Sequence, residues 1–431
     1  MKILETTAII ALGLFAVTYV LMLVFGKYRP YIALASGIIF VVSGLLPLNQ
    51  VIGSLDFNVI LMIIGTMGLV ALFTESKMPA LLADMVMSKV PNVKWAVVAL
   101  SLFAGIISAF VDNVATVLMV APIAFAICKK LDTNPVPFII AIAVSSNLQG
   151  AATLVGDTTA IMLGSALDMS FLDFIWYKGK PSIFFAVELG ALLSALILLV
   201  IFRKENKAVE KAAQRTKVTD YVPTVLLVGA LALLIGASFI PNKPNETNGI
   251  ICCVLFIVGL IYEVAKTKKF SCVVEPLKEI DFTTIGILVG LFLMIGGISA
   301  QGVIDVAAGA LAKLGGGNIF LLYTIIVWGS VVISAFIDNI PYVATMIPVI
   351  AGLAATLEVD PTPLYFGLLS GATLGGNCTP IGASANITGI GILRKEGYEV
   401  KNADFFKIGI PFTLAAIIPA YIYVWLLYGV K

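Results

Sequence analysis

Two six-residue segments, Ser108-Ala-Phe-Val-Asp-Asn113 and Ser334-Ala-Phe-Ile-Asp-Asn339, each set an aspartate and an asparagine in the middle of a long apolar run. A charged side chain at the centre of a membrane costs about 3 kcal/mol on insertion scales, so a carboxylate kept there marks an ion path or a proton relay. An Asp-Asn pair also caps the helix that follows it, but its recurrence in two apolar runs points beyond capping. Each pair is followed by a polar stretch: Ser145-Ser-Asn-Leu-Gln-Gly-Ala-Ala-Thr-Leu-Val-Gly-Asp157-Thr-Thr159, and Gly371-Ala-Thr-Leu-Gly-Gly-Asn-Cys-Thr-Pro-Ile-Gly-Ala-Ser-Ala-Asn386. Glycines, hydroxyls and amides this dense predict unwinding, and unwound backbone persists in lipid only where it is buried in protein or lines a watery cavity. Freed carbonyls and Ser, Thr and Asn oxygens suit a hard cation such as sodium, whereas exposed helix N-termini suit an anion. Small residues for close helix packing explain the Gly and Ala, but not Asn147, Gln149, Asp157, Asn377 and Asn386 together.

The candidate ion or substrate ligands are therefore Asp112, Asn113, Thr116, Ser145, Ser146, Asn147, Gln149, Thr153, Gly156, Asp157 and Thr158 in the first half. In the second half they are Asp338, Asn339, Asn377, Thr379, Gly382, Ser384 and Asn386. Asp157 corresponds to Ala383, so the first half carries an additional acid. Glu188 stands alone among apolar residues and reads equally as a proton carrier or as a structural, hydrogen-bonded group.

The elements that must position these residues are helical. Apolar runs near 3–25, 31–46, 56–74, 135–164, 181–202, 221–240, 249–265, 281–300, 363–390 and 405–429 give about ten crossings. The runs 95–128 and 319–357, each interrupted by its Asp-Asn pair, read as re-entrant hairpins. Residues 108–161 align with 334–387 at a constant offset and without a gap, giving 15 identities in 54 positions; Asp56-Phe57 recurs as Asp281-Phe282. The first copy runs inward and the second outward, so this is an inverted-topology repeat, the plan that places substrate at the midplane between broken helices. The expected fold is an all-α polytopic membrane protein. Its parts are N-terminal scaffold helices (1–50), a first repeat (51–202, hairpin 95–128, broken helix 135–164), a linker (203–220), scaffold helices with a basic loop (221–280) and a second repeat (281–431, hairpin 319–357, broken helix 363–390). Residues 79–91 read as an interfacial amphipathic helix.

Composition sets the class. Of 431 residues 60% are hydrophobic and 12% charged, with mean hydropathy +1.06, against about 25% charged in soluble domains. Net charge is +2 and histidine is absent, so no nucleic-acid surface is indicated and imidazole chemistry is excluded. The five cysteines form neither a disulfide framework nor a zinc site. Glu5 and the lack of a small-residue cleavage site make the first apolar run a retained helix. Without a Walker A sequence, ATP does not drive transport through this chain alone. Loops 26–30, 75–94, 129–134, 203–217, 266–280 and 391–407 hold 21 of the 27 Lys and Arg residues. That asymmetry makes their face cytoplasmic and puts both termini outside a plasma membrane.

The segments Asp112-Asn-Val-Ala-Thr-Val-Leu-Met-Val-Ala-Pro122, Asn147–Gly156 and Gly375-Gly-Asn-Cys-Thr-Pro-Ile-Gly-Ala-Ser-Ala-Asn386 resemble the ion transporter superfamily. The branch they resemble holds arsenite permeases, the melanosomal P protein and citrate-transporter-like permeases, with NhaD antiporters and divalent-anion/sodium symporters as relatives. The resemblance implies two re-entrant hairpins, two discontinuous helices, a homodimer and elevator-like alternating access. It also implies one ion site at Asp112, Asn113, Asn147, Thr153 and Gly156, and another at Asp338, Asn339, Thr379, Gly382 and Ser384. Sodium/dicarboxylate relatives carry Ser-Asn-Thr at the tips. Here Asp replaces Ser and the third residue is Val114 or Ile340, which disfavours a dianion unless protons or cations neutralise the acids. Three-thiolate capture of arsenite is excluded, since Cys378 is the only cysteine nearby. The expected function is a secondary active transporter, not an enzyme, with no cofactor and no metal apart from sodium. It would couple a proton or sodium gradient to movement of a small anion or metalloid hydroxide. The alternative is an NhaD-like sodium/proton antiporter, and a channel or non-transporting membrane protein comes last.

Overall fold

The computed structural model describes residues 6–209 and 216–429, and about three quarters of them are helical. The chain opens with α1 (Thr6–Val24), α2 (Arg29–Val42) and the single turn α3 (Val51–Ser54). The first repeat comprises α4 (Phe57–Glu75), α5 (Met78–Met87), α6 (Val93–Ser108), α7 (Asn113–Leu131), α8 (Val136–Gly150), α9 (Thr158–Ala166) and α10 (Ile183–Ile201). A two-residue antiparallel ladder, β1 (Trp176–Tyr177) with β2 (Lys180–Pro181), precedes α10. α11 (Val222–Ala237), α12 (Thr247–Thr267) and the short α13 (Val274–Lys278) lead to the second repeat. That repeat comprises α14 (Phe282–Ala300), α15 (Val303–Gly315), α16 (Ile319–Ser334), α17 (Asn339–Leu357), α18 (Thr362–Gly375), α19 (Ser384–Lys395) and α20 (Asn402–Val424). Both chain ends and residues 210–215 of the linker lie outside the described residues.

The repeat is written into the helix ends. A helix start leaves backbone N–H groups that a side-chain oxygen must satisfy. Asp56 accepts from Val59 N at 3.0 Å to start α4, and Asp281 accepts from Thr284 N at 3.1 Å to start α14. Asn92 and Asn318 cap α6 and α16 in the same way. Asp112 accepts from Val114 N at 2.9 Å and Asp338 from Ile340 N at 3.2 Å, starting the second hairpin arms. Those arms also end alike, with Asp132 and Glu358 in the left-handed region at φ 48° and 52°. Identical cap chemistry at matched positions makes each half cut its chain into the same helices.

Among the described residues, α1, α4, α7, α10, α12, α14, α17 and α20 are continuous helices long and apolar enough to cross a bilayer. The expected crossings 31–46 and 221–240 are shorter, at 14 residues in α2 and 16 in α11. Pro30 lies in the first turn of α2 and Gly44, at φ 75°, follows its end. The runs 135–164 and 363–390 are the two discontinuous helices, α8 with α9 and α18 with α19. The amphipathic segment 79–91 holds α5, whose helix ends at Met87, and α15 is its mate in the second repeat; α15 had no assignment from sequence because its 13 residues, set off by Gly302 and Gly316-Gly317-Asn318 and carrying Asp305 and Lys313, are too few for a crossing. It meets α16 at 115°.

Packing divides the helices into two bodies. α2 lies along α14, and α12 along α4, forming a frame with α1 and α11. Close approach there rests on matched glycines: a Cβ on Gly65 would sit 2.5 Å from Cys252, and one on Gly290 2.3 Å from the Ala33 backbone. The core pairs α6 with α8, α16 with α18, and α10 with α20. α5 and α15 connect frame to core in the two halves.

Candidate functional site

The tips of both hairpins and the breaks of both discontinuous helices meet inside the core. In the first half Ser108 Oγ donates to Asn113 Oδ1 at 2.8 Å, and Ser146 Oγ donates to Ser108 Oγ at 3.0 Å and to Asn113 O at 3.1 Å. In the second the Ser334 hydroxyl lies 2.5 Å from the Asn339 amide and from the Ala372 carbonyl. The Thr153 hydroxyl donates to the Ala109 carbonyl, and the Thr379 hydroxyl to the Ala335 carbonyl. Each threonine hydroxyl thus ties a helix break to a hairpin tip. Gly156 and Gly382 complete the junctions. A Cβ on Gly156 would meet the carbonyl oxygens of Gly150 at 2.6 Å and of Ala109 and Ser108 at 3.0 Å; on Gly382 it would meet those of Gly376 at 2.6 Å and of Ala335 and Ser334 at 2.8 Å. Only glycine admits three carbonyls this close.

The two halves are joined at the middle. Asn147 Nδ2 donates to Thr373 O at 2.6 Å and to Asn377 Oδ1 at 3.0 Å, while Asn147 Oδ1 accepts from Asn113 Nδ2 at 3.2 Å. Asn377 Nδ2 returns a bond to Val144 O at 2.9 Å. Thr159 Oγ1 donates to Asp157 Oδ2 at 2.8 Å and lies 3.2 Å from Thr373 Oγ1. Asn386 Nδ2 donates to Gly376 O and Thr379 O, both at 3.0 Å, and its Oδ1 has no hydrogen-bond partner among the described residues.

A central cavity of about 40 Å³ lies between these parts. Of the sequence candidates, Asp112, Asn113, Asn147, Asp157, Thr158, Asp338, Asn339 and Ser384 line it. Because both tips line one cavity, each hairpin turns inside the protein, as a re-entrant element does. Ser146, Thr153, Gly156, Asn377, Thr379, Gly382 and Asn386 form the junctions behind it. Thr116, whose hydroxyl is 3.5 Å from Val111 O, and the buried Ser145 do not reach the cavity. Gln149 also stands outside it, on the far side of α8, within hydrogen-bonding reach of Glu188. Glu188 therefore has a partner, and it is not an aspartate of the cavity.

Sequence reading missed two charged groups here. Asp281, noted only as a marker of the repeat, lines the cavity beside Asp112. Arg29, placed in a cytoplasmic loop, reaches Asp338 with Nη1 3.6 Å from Oδ2. Nothing in the local sequence of α2 signals that meeting, which depends on where the frame lies against the core. The cavity thus gathers four carboxylates, and one guanidinium meets them. Among the described residues no three acidic or thiol side chains converge closely enough to hold a metal ion. The donor set, carbonyls and single carboxylates with hydroxyls and amides, suits a singly charged hard cation.

The wide opening lies on one side; a narrow cavity of about 30 Å³ beside Tyr19 and Arg29 also shares Thr284, Asp338 and Ile340 with the central one. Met67, Asp112, Val114 and Asp281 also line a cavity of about 590 Å³ between α4 and α7, which runs out past Thr74, Glu75, Glu275 and Glu279. The matching helices of the other half, α14 and α17, pack together. The vestibule on that side, about 380 Å³ around Asp56, Ser165 and Phe292, shares no lining residue with the central cavity.

This architecture recurs in known proteins. The sequence profile of the family described as citrate transporter matches residues 19–270 and 250–431. The chain belongs to the citrate transporter family. An uncharacterized transporter of Mycobacterium tuberculosis is 30% identical over 98% of this chain and 99% of its own length, as is one of Mycobacterium bovis. The human P protein is 26% identical over 94% of this chain and 58% of its own length. The solved YdaH transporter of Alcanivorax borkumensis shares the fold at TM-score 0.61 and 13% identity, with 88% of each chain covered. This member of the citrate transporter family is thus a multi-pass membrane transporter.

Proposed function

We propose that the chain is a secondary active transporter coupling a proton or sodium gradient to movement of a small anion or metalloid hydroxide. The observation that carries this reading is a carboxylate-bearing site between inverted repeats, open along α4 and α7 and closed along α14 and α17. Such a site serves one face at a time, as carriers do and open channels do not. Asp112 and Asp338, with the junction carbonyls around Gly156 and Gly382, hold the coupling cations; Asp157 supplies the extra charge of the first half. The family's description makes citrate the first anion to try. Positive charge must accompany any such anion, because four aspartates outweigh the single Arg29. By the distribution of Lys and Arg the open cavity faces the cytoplasm of a plasma membrane.

Sodium/proton antiport is the second reading, favoured by that excess of acid over base at the cavity. Proteoliposomes separate the two. Uptake of labelled citrate or another small anion that rises with an imposed sodium or proton gradient supports anion transport. Sodium-dependent pH change without anion, lost in Asp157→Asn, supports antiport. Flux indifferent to both gradients would sink both readings.

A further inference from the structure

The two hairpin carboxylates occupy equivalent positions but have different partners. Asp112 accepts from backbone amides, Val114 N at 2.9 Å and Ala115 N at 3.3 Å among them, and makes no ion pair among the described residues. Asp338 accepts from Ile340 N at 3.2 Å and Ser384 Oγ at 3.4 Å, and also faces Arg29 at 3.6 Å. Arg29 is one of four arginines in the chain and begins α2, where a cation opposes the positive end of the helix dipole. Helix stability therefore does not explain it. Its Nε is fixed by the Met22 carbonyl at 3.1 Å, so the guanidinium is braced within the frame and aimed outward at the core. Tyr19 of α1 meets the same hairpin arm, 2.5 Å from both Pro341 O and Thr345 Oγ1.

We infer that Arg29 is a tethered countercation, which holds the second hairpin tip against the frame in this state and competes with the coupling cation for Asp338. The pair bridges the frame and the core, so it exists only while those bodies sit as they do here. When they shift, Asp338 is released to bind a free cation, and the second site changes affinity with access. Asp112 has no such competitor, so the two sites respond differently to the same ion. Arg29 is a positioning residue and does not touch the substrate.

The inference rests on the proposed cation coupling, and two measurements keep the two apart. In purified protein, a thermal-midpoint cycle over Arg29→Gln and Asp338→Asn should be non-additive, the double variant melting no lower than the worse single one; additive losses would overturn the pair. A sodium titration at fixed pH and ionic strength, read by thermal midpoint, should half-saturate at least about fivefold lower in Arg29→Gln than in wild type. Arg29→Lys should lie between them. An unchanged half-saturation in folded Arg29→Gln overturns the competition. If sodium moves neither wild type nor Arg29→Gln, competition with sodium is overturned along with the sodium form of the proposed function, while the first measurement still decides the pair.

Discussion

At Gly156 and Gly382 the site depends on the absence of a side chain. A methyl group at either position would press on three carbonyl oxygens within 3.0 Å. Gly156→Ala and Gly382→Ala should each cost about 1–3 kcal/mol, seen as a lower thermal midpoint and lost transport. Gly13→Ala, with nothing within 4 Å of its Cβ, should leave both unchanged. Removing charge from a tip tests the ligands directly. A hydrogen bond or contact to a charged group contributes about 1.5–3 kcal/mol, so Asp112→Asn and Asp338→Asn should each weaken the dependence on the coupling ion about 10- to 100-fold. Transport with intact ion dependence in both variants would show that these carboxylates are not the ligands.

At the scale of elements, caps and the loop before α10 fix how helices begin. Asp56 and Asp281 start equivalent helices, so each change to Ala should cost about 1 kcal/mol. Only Asp281 faces the open cavity, while Asp56 accepts from Ser165 Oγ at 2.5 Å. Asp281→Ala should therefore also alter the response to ions presented from the open side. Outside the spanning segments, Lys178 Nζ lies 2.9 Å from both Asp360 oxygens and from Thr362 Oγ1, tying the β1–β2 loop to the start of α18. Burial works against the charge of Asp360, but the Thr362 hydroxyl and amide and the Lys178 ammonium outweigh it, leaving the carboxyl below its ordinary 3.8. A carboxyl depressed on folding adds stability above its unfolded value and loses it as pH falls through the folded one. Thermal midpoints of wild type should thus fall on acidification below 3.8, and Asp360→Asn should give a flatter profile there.

At the scale of the whole molecule, two repeats of matched register adopt different packings. α4 stands apart from α7 across a cavity, whereas α14 rests on α17. On the proposed transport reading, exchanging the two arrangements would close one vestibule and open the other. A cysteine at Leu118, on the cavity wall, should react in a cysteine-free background with a membrane-impermeant thiol reagent added from the side of the 266–281 loop. It should resist the same reagent from the opposite side, and a ligand that favours the opposite state should slow the reaction. Equal labelling from both sides would rule out a one-sided site.

The hairpins, the breaks and the pairing of Asp112 with Asp338 were legible because each rests on neighbours in the chain. A cap needs an oxygen within three residues of its helix, and a re-entrant tip needs polar residues inside an apolar run. α15 escaped because its 13 residues, interrupted by Asp305 and Lys313 and ended by Gly316-Gly317-Asn318, are too few and too charged to read as a crossing, and Gln149 was grouped with the site although it lies within reach of Glu188. Arg29 beside Asp338, Asp281 beside Asp112 and the open face between α4 and α7 were decided only by tertiary structure. They join residues 309 and 169 positions apart, or distinguish repeats whose local sequences ask for the same helices. Local energetics fixes what each repeat folds into; how the frame sits against the core is a balance of packing between distant surfaces, and that balance selects which copy of the site is open.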